Sequence, residues 1–462
     1  MIPTSARPTS SRPIPSRPIP PRPRLVLAAA AIAATTALVL AGCSSDGGTA
    51  TVGKAPKTLS GNVSLWHFFT DREAKVIQKA VDGFEKENPK VKVEVHTGQD
   101  DTKLQQVISS GGNVDVALSY ASDIVGNFCT TGAFIDLGPY ISRDKVDLDD
   151  FPDSVRSYTQ FDGKRCALPL LADVPALYTN TAMLSAAGIT EAPKTLDELS
   201  TDALALTTYN DDGSIKTLGF NPTLGFYENS PGNFSASVGA KWLKSNGKAD
   251  VADSSWPEVM KWQKALVDKI GWDKLKAFTA GLGQEFSASN AFQTGQVAMQ
   301  FDGEWRTAFI ADQTPDLAYE TSPFPAAADH SELYGSGVIS GNVVGIGKGS
   351  KSPELAWALM KYLTTKTSVV VDLANGLKNV PTTTSALDSP DLIVSKQFKT
   401  FIDIAKNDKT IARPSSPLGA GYGQPLTDFW TKWQAGSGDG LDSGLKTVAK
   451  QMDNSLALVE GP

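Results

Sequence analysis

Between residues 60 and 130 the chain alternates short apolar runs with stretches of helical periodicity. The apolar runs have the length and β-branched content of strands, and they cover residues 63–68, 91–95 and 114–118. Between them, apolar residues recur every three or four positions, the period of an amphipathic helix; they are Ala74, Ile77, Val81 and Phe84, then Leu104, Val107 and Ile108. The pattern predicts a β-α-β-α-β unit.

Polar residues mark where the predicted helices begin and end. Thr70 and Glu73 have the spacing of a capping box. The pair Asn-Pro at residues 88–89 should end the first helix, because the residue before a proline disfavours helical geometry. After the third strand, Ser122 or Asp123 can cap a further helix.

An α/β alternation of this kind predicts an open, doubly wound sheet. In such sheets ligands bind at the carboxyl ends of the strands. Those ends fall at residues 68–71 and 120–123, so the first candidate site residues lie there.

The first 43 residues have the order of a secretory signal: five arginines, an uncharged run at residues 25–41, then Gly42 and Cys43. Leu-Ala-Gly-Cys at residues 40–43 resembles the bacterial lipobox, whose cysteine becomes the lipidated first residue. A single membrane-spanning helix is the alternative, but this run is short and consists mostly of Ala and Thr. We predict a signal peptide over residues 1–42, lipid on Cys43, a flexible tether over residues 43–59, and attachment to the outer face of the cell membrane.

The net charge of the chain limits the classes of binding partner. The chain has 43 basic and 50 acidic residues, a net charge of −7, and loss of five arginines with the signal peptide takes it to −12. Such an acidic protein is a poor match for nucleic acid or an anionic membrane surface, so we predict no nucleic-acid partner and membrane attachment through the lipid anchor alone. The remaining 420 residues suffice for two or three domains, each with a core.

The chain has three cysteines. If Cys43 carries lipid, Cys129 and Cys166 remain, an even number in an oxidising compartment. We predict a disulfide between them, with two buried free thiols as the alternative.

Short segments spread over the mature chain carry a broader resemblance. The most specific is Phe292-Gln293-Thr294-Gly295-Gln296-Val297-Ala298-Met299, followed by Gly303-Glu304-Trp305. The others cover residues 63–68, 84–93, 115–116, 163–169, 176–180, 187–189, 193–199, 356–357, 363, 376 and 380–381. In this order and at these spacings they resemble the bacterial extracellular solute-binding proteins of ABC importers, in the carbohydrate-binding, maltose-binding-protein-like branch. One departure is Thr179, where the family often has tyrosine.

The resemblance implies an α/β protein of two lobes, each an open sheet flanked by helices, that close on a ligand between them. It also implies ABC permease subunits as partners, and we expect a monomer. The chain would cross near residues 168–172, 335–341 and 379–382, where a few residues change φ and ψ during closure. One lobe would combine residues 60–168 with 340–378, and the other residues 173–335 with 383–460.

The strongest candidate site follows the predicted strand at residues 297–301. Asp302-Gly303 has the composition of a turn, which would place Gly303, Glu304 and Trp305 at the end of this strand. A pyranose presents C–H faces and a rim of hydroxyls, so its site needs flat rings and directional polar groups. We predict that Trp305 stacks on a sugar and that Glu304 accepts hydroxyl hydrogen bonds; the alternative is that Trp305 only packs on the adjoining helix.

At the other strand ends, Phe68 and Asp71 are predicted to face the cleft, whereas Trp66 should lie in the core. The resemblance places the turn of Ser122 and Asp123 beside the sugar, where Asp123 can also cap a helix.

By the same resemblance, three further candidates lie near the crossings. Asp173 follows the first crossing, and Tyr334 and Gly341 lie at the second, where Gly341 would let the backbone approach a ligand closely. The tryptophans assigned to packing are Trp242, Trp256, Trp262, Trp272 and Trp357. Trp430 and Trp433 lie three apart on a predicted helix; we favour packing for both, with a helix face that reaches the cleft as the alternative.

Signatures of catalysis and metal binding are missing from the sequence. The three histidines form no His-x-x-x-His pair, so we predict no zinc site and no cofactor. Residues 345–350 have only a superficial P-loop pattern, because Gly349 stands where Ser or Thr is required. We predict a sugar-binding protein that is not an enzyme. A glycoside hydrolase stays open, since its two carboxyl groups need no proximity in sequence, as does a sensor or adhesin with this fold.

Overall fold

The computed structural model describes residues 52–252, 255–438 and 440–460. The predicted signal peptide, the lipidation site Cys43 and residues 43–51 of the tether lie outside these residues. Within the part of the chain that is described, no helix has both the length and the hydropathy to span a bilayer.

Strands and helices alternate along the chain. The strands are β1 (Gly61–Trp66), β2 (Val91–His96), β3 (Val116–Ser119), β4 (Gln160–Phe161), β5 (Lys164–Arg165), β6 (Ala167–Asp173), β7 (Pro175–Asn180), β8 (Thr208–Tyr209), β9 (Ile215–Phe220), β10 (Val297–Gly303), β11 (Tyr319–Ser322), β12 (Val338–Ile346), β13 (Val380–Pro381) and β14 (Ile411–Ala412).

The α-helices are α1 (Asp71–Glu87), α2 (Asp101–Ser109), α3 (Val125–Thr130), α4 (Gly138–Asp144), α5 (Asp153–Ser157), α6 (Thr181–Ala186), α7 (Leu196–Leu206), α8 (Pro231–Phe234), α9 (Trp256–Ile270), α10 (Trp272–Ala280), α11 (Arg306–Gln313), α12 (Pro353–Thr365), α13 (Thr367–Leu377), α14 (Thr384–Leu387), α15 (Lys396–Lys406), α16 (Gln424–Gln434) and α17 (Leu441–Glu460). Short 3₁₀ helices are Ser122–Ile124, Ser235–Val238, Ala328–Leu333 and Gly419–Gly423.

The predicted β-α-β-α-β unit is present as β1-α1-β2-α2-β3, and α1 ends directly before Asn88 as expected. Its caps differ from the prediction. Thr70 precedes α1 but makes no side-chain capping bond, and the Glu73 side chain lines the cleft. Ser122 and Asp123 lie inside a 3₁₀ turn rather than capping it.

Two larger sheets organise the molecule. The first has the order β13-β6-β12-β3-β1-β2, and β14 pairs with β12. Here β1 lies parallel to β2 and β3, whereas β12 runs antiparallel to β3 and β6. The second sheet has the order β11-β7-β10-β9-β8. The α/β, two-sheet architecture agrees with the predicted fold class.

Each sheet has its own apolar core. Leu65 and Trp357 belong to the first, and Phe220 and Trp430 to the second. The chain passes from the first sheet to the second between β6 and β7, with only Val174 between them. Helix α15 belongs to the first core yet also contacts β7 and β11 of the second sheet, so the residue limits of the two lobes remain a prediction.

A disulfide joins Cys129 of α3 to Cys166, which lies directly before β6, with Cα atoms 5.6 Å apart. Both cysteines lie in the first core. The bridge therefore ties two elements of one lobe and does not span the cleft.

Candidate functional site

A cavity of about 990 Å³ lies where strand ends of the two sheets meet. We call it the cleft. The loops after β1 and β3 line one side, and the junctions β6–β7 and β10–α11 line the other. Of the predicted site residues, those that line the cleft are Phe68, Asp71, Ser122, Asp123, Asp173 and Trp305.

Trp305 lies between the end of β10 and the start of α11, half-buried, with its ring at the cleft. The ring packs on Gly303, where a Cβ atom would stand 2.2 Å from it. Gly303 does not line the cleft, contrary to the prediction; its missing side chain makes room for the ring. Phe309 follows one turn later on α11 and, with Phe286, continues this aromatic wall. The indole Nε1 of Trp305 has no hydrogen-bond partner among the described residues.

Aromatic rings also line the side formed by the first sheet. Phe68 makes an edge-on contact with Tyr120, with ring centroids 5.7 Å apart, and packs on Phe69 at 4.1 Å. Tyr120 keeps 52% of its surface exposed. Asp71, the first residue of α1, has φ of 46°, which is uncommon for a residue other than glycine. Flat apolar surface therefore faces the cavity from both sides.

A buried ion pair between Arg306 and Asp302 packs against the aromatic residues beside Trp305. The Arg306 Nε donates to Asp302 Oδ2 at 2.7 Å, and Nη1 donates to Gln293 at 3.1 Å. The guanidinium also lies against the rings of Phe286 and Phe309, 5.7 and 5.3 Å from their centroids. Because loss of one partner would leave an uncompensated buried charge, this pair holds the β10–α11 junction in place.

Glu304 does not line the cleft, contrary to the prediction that it accepts hydrogen bonds from a ligand. Its side chain is fully buried at the passage between the sheets. The Val174 N–H donates to its Oε2 at 2.9 Å, and Asn379 Nδ2 donates to its Oε1 at 2.8 Å. Glu304 and Trp305 form the turn between β10 and α11. In this turn the Glu304 side chain lies against Val174 and Asn379, and the Trp305 ring lies at the cleft.

Asp173 connects this buried position to the cleft. It accepts hydrogen bonds from Asn379 Nδ2 at 2.6 Å and from Asn342 Nδ2 at 3.1 Å. We call Asp173, Glu304, Asn342 and Asn379 the crossing network. Burial raises the pKa of Asp173 to about 7 and raises that of Glu304 well above its usual range, and in Glu304 the neighbouring Asp173 charge adds to the effect. The two carboxyl groups are therefore not both ionised at neutral pH.

Asp123 is 6% exposed and pairs with Arg413, whose Nη1 lies 3.5 Å from Oδ2. Ser122 beside it is also buried. The Arg413 side chain fills space that only a glycine leaves free, since a Cβ atom on Gly232 would stand 2.4 Å from its Nε. This pair joins the loop after β3 to the chain after β14.

Arg72 makes a second charged bridge, from α1 to α11. Its Nε lies 3.4 Å from Asp312, its Nη2 3.8 Å from Glu73, and its Nη1 donates to the Gly376 carbonyl at 2.6 Å. The guanidinium also lies over the Phe309 ring, 5.5 Å from the centroid. Burial raises the pKa of Glu73, and the Arg72 charge opposes that rise.

Tyr334 and Gly341 do not line the cleft in this structure, and their role as ligand contacts stays a prediction. Gly341 faces β6, where a Cβ atom would stand 2.3 Å from the Leu171 carbonyl oxygen. Tyr334 lies near Lys194, whose charge partly opposes the burial that raises the tyrosine pKa. The close backbone approach at Gly341 serves sheet pairing, and its neighbours Ser340 and Asn342 reach the cleft.

The turn of residues 340–342 was expected at the second crossing, and its Asn342 lines the cleft. Sequence reasoning missed several other cleft residues: Arg72, Tyr120, Glu228, Asn233, Asn379 and Arg413. Tyr120 and Arg72 lie within or beside the strand ends at which ligands were expected, so that rule could have included them. Glu228 accepts a hydrogen bond from Asn233 at 2.9 Å. It follows no predicted strand and carried no signal.

Within residues 52–252, 255–438 and 440–460, no group of three or more His, Cys, Asp or Glu side chains is arranged to hold a metal ion. The residues that line the cleft offer aromatic stacking, hydrogen bonding and charge.

Comparison with known proteins gives consistent matches. Residues 70–369 match the bacterial extracellular solute-binding protein family. The maltotriose-binding protein of Pyrococcus abyssi is 23% identical over 334 residues, which cover 72% of this chain and 69% of that protein.

Two solved structures share the fold. CpMnBP1 with bound mannotriose has a TM-score of 0.76 at 23% identity, covering 85% of this chain and 99% of that one. The GacH receptor of Streptomyces glaucescens GLA.O, solved unliganded and with acarbose and an acarbose homologue, has a TM-score of 0.70 at 22% identity, covering 86% and 99%. At these identities the likeness establishes the fold.

Proposed function

We propose that this chain, which belongs to the family of bacterial extracellular solute-binding proteins, captures a sugar or oligosaccharide in the cleft and presents it to an ABC permease. The observation that carries the proposal is the pair of aromatic walls, with Trp305 on one side and Phe68 and Tyr120 on the other, above a floor of carboxyl and amide groups. Rings stack on the C–H faces of a sugar, and the polar groups bond its hydroxyls.

The size of the cavity favours an oligosaccharide over a single ring. About 990 Å³ is near the upper end of the roughly 300–1,000 Å³ of small-molecule sites. The names of similar proteins agree, because they mention maltotriose, mannotriose and acarbose.

The proposed role is binding without turnover, and two measurements test it together. Isothermal titration of the soluble domain with maltotriose and with mannotriose should give one site for at least one of them. A hundredfold excess over Kd should then raise the unfolding free energy by about 2.7 kcal/mol. Release of reducing ends from the bound sugar would replace this role with that of a glycoside hydrolase, and failure to bind any sugar of a broad panel would overturn it.

We further propose that the protein is held at the outer face of the membrane by lipid on Cys43. Removal of the signal peptide before this cysteine would leave residues 44–59 as a tether. The wild-type protein should partition into detergent, whereas Cys43→Ala should lose lipidation and normal processing. Equal partitioning and an unchanged mature mass would contradict the anchor.

A further inference from the structure

The carboxyl groups that line the cleft are unequally paired with cations. The basic side chains that line it are Arg72 and Arg413. Arg72 lies beside Glu73 and Asp312, and Arg413 beside Asp123. Both arginines thus lie beside carboxylates other than Asp173 and Glu228, although Arg72 Nε and Nη2 and Arg413 Nε make no hydrogen bond among the described residues.

Asp173 and Glu228 line the same cavity without a basic side chain bonded to them in the described part of the chain, and Asp173 also shares a hydrogen bond with the carboxyl group of Glu304. Asp173 accepts from Asn342 and Asn379, and Glu228 accepts from Asn233 at 2.9 Å. No ion pair joins either carboxyl to a basic side chain within the residues described by the structure.

Charges around these two groups are mostly negative. Burial raises the pKa of Asp173 to about 7, with Glu228 and Glu73 adding to the rise. Burial also raises the pKa of Glu228 to about 7, with Asp302 adding to the rise and Arg413 and Arg306 opposing it. Buried carboxyls without a cation hold their protons, so this floor favours a positive charge.

The side chain of Asn342 is a second, independent indication that the ligand carries a hydrogen-bond donor at this place. It is 3% exposed and lines the cleft. Its amide nitrogen donates to Asp173, while its Oδ1 has no hydrogen-bond partner among the described residues. A buried acceptor without a donor is costly, and a ligand group that donates would satisfy it.

Asp173, Glu228 and Asn342 thus present hydrogen-bond acceptors to the cleft, and no basic side chain forms an ion pair with either carboxyl group among the described residues. We propose that the cleft takes a glycoside bearing a protonated amine, whose ammonium group lies against Asp173, Glu228 and the Oδ1 of Asn342. An ammonium carries three donors and a positive charge, which matches three acceptors of this kind. This inference rests on the proposed function and narrows its substrate class to amino sugars with a free amine.

Matched sugars test it directly. The probes are the β-1,4-linked glucosamine disaccharide, its N,N′-diacetylated form and cellobiose, which share ring and linkage but differ at the nitrogen position. Titration of the soluble domain at pH 6.5 should show the free amine binding at least tenfold more tightly than both neutral forms. In buffers of different ionisation enthalpy, it should also release protons as Asp173 and Glu228 ionise; the neutral forms should not.

Single-residue variants test whether Asp173 and Glu228 cause the preference for the amine. Glu228→Gln and Asp173→Asn should each reduce the preference for the amine to less than threefold and lower the number of protons released, because one ionising carboxyl group is lost in each. Asp268→Asn, on the exposed surface of α9, removes a carboxylate as a control and should change neither value. Circular dichroism melting of each variant identifies loss of folding.

The outcomes separate this inference from the proposed function. Equal or tighter binding of a neutral sugar overturns the amine preference and leaves sugar capture intact. Absence of binding by the amine-bearing probe also overturns the inference. A preference for the amine that survives both Glu228→Gln and Asp173→Asn would remove these carboxyls from it.

Discussion

Trp305 and Glu304 are neighbours in sequence, yet they belong to two regions with opposite physical character. Trp305 is half-buried and lies in the cleft wall with Phe309 and Phe286. Glu304 is fully buried in the crossing network, where the backbone of Val174 and the side chain of Asn379 hold its carboxyl group. The cleft wall offers exposed apolar area to a ligand, whereas the carboxyl group of Glu304 is satisfied by hydrogen bonds inside the protein.

This difference separates residues that contact a ligand from residues that stabilise the fold around it. An exposed ring costs little in the folded protein and contributes when a ligand covers it. A buried carboxyl contributes only while its hydrogen bonds are complete, because it is costly once a partner is lost. Changes in the cleft wall should therefore appear mainly in affinity, and changes at Glu304, which does not line the cleft, mainly in stability and its pH dependence.

The largest expected effect lies outside both regions. The disulfide between Cys129 and Cys166 closes a loop with a sequence separation of 37, for which the chain-entropy model gives about 4 kcal/mol. The double variant Cys129→Ser, Cys166→Ser should unfold at lower denaturant, with sugar affinity nearly unchanged. Alkylation of the unfolded, unreduced wild type followed by mass spectrometry is the control. Two modified thiols would mean that the bridge does not form.

Loss of the ring in the cleft wall comes next. Truncation of a central aromatic anchor commonly costs about 2 kcal/mol or more in binding, so Trp305→Ala should weaken sugar binding roughly thirtyfold. Its melting temperature should stay close to that of the wild type. Titration and a melting curve on the same sample provide both values, and a destabilised variant with normal affinity would place Trp305 in the core.

Gly303 links the two regions, since the Trp305 ring lies on it. A methyl group at this position would stand 2.2 Å from the ring, and over-packing of this kind costs about 1–3 kcal/mol. Gly303→Ala should therefore lower stability and also weaken binding by displacing the ring. Gly295→Ala, where a Cβ atom meets nothing within 4 Å but φ is 72°, should lower stability and spare affinity. Equal affinities in both variants would show that the ring position does not matter.

The crossing network should produce the smallest change, seen in the pH profile. The pKa of Glu304 is raised in the folded state above its ordinary value of 4.5, so the native protein binds more protons than the unfolded chain above that pH. Stability should then fall as pH rises from 5 to 8, by on the order of 1 kcal/mol per unit of raised pKa.

Glu304→Gln cannot ionise and retains an acceptor for Val174, so its profile should be flatter than that of the wild type. Denaturant unfolding at pH 5, 6, 7 and 8 measures the difference, and Glu191→Gln on the surface is the matched control. Parallel wild-type and Glu304→Gln profiles would contradict a raised pKa at Glu304.

The sequence predicts helices and strands better than it predicts contacts between residues that are far apart in the chain. Apolar periodicity located β1, α1, β2, α2 and β3 because burial of one face leaves a regular pattern in consecutive residues. The end of β10 was also predictable, since a strand pattern precedes Trp305 directly. These inferences depend on residues that are close in the chain.

The crossing network has no such local signal. Asp173, Glu304, Asn342 and Asn379 lie more than thirty residues apart, and short polar side chains show no periodicity. Their meeting is a product of the strand order β13-β6-β12, which local patterns do not encode. The turn after β10 predicts that Glu304 reaches the strand end with Trp305, but the local pattern does not show that Val174 and Asn379 hold its carboxyl group.

A fluorescence titration tests the central claim most directly, because Trp305 is the tryptophan that lines the cleft in the described part of the chain. Trp305→Phe keeps an aromatic face for stacking but removes the indole. We expect it to bind sugar within about tenfold of the wild type by calorimetry, while the sugar-dependent change in tryptophan emission largely disappears. An emission change that persists undiminished in Trp305→Phe at saturating sugar would contradict the assignment of Trp305 to the binding site.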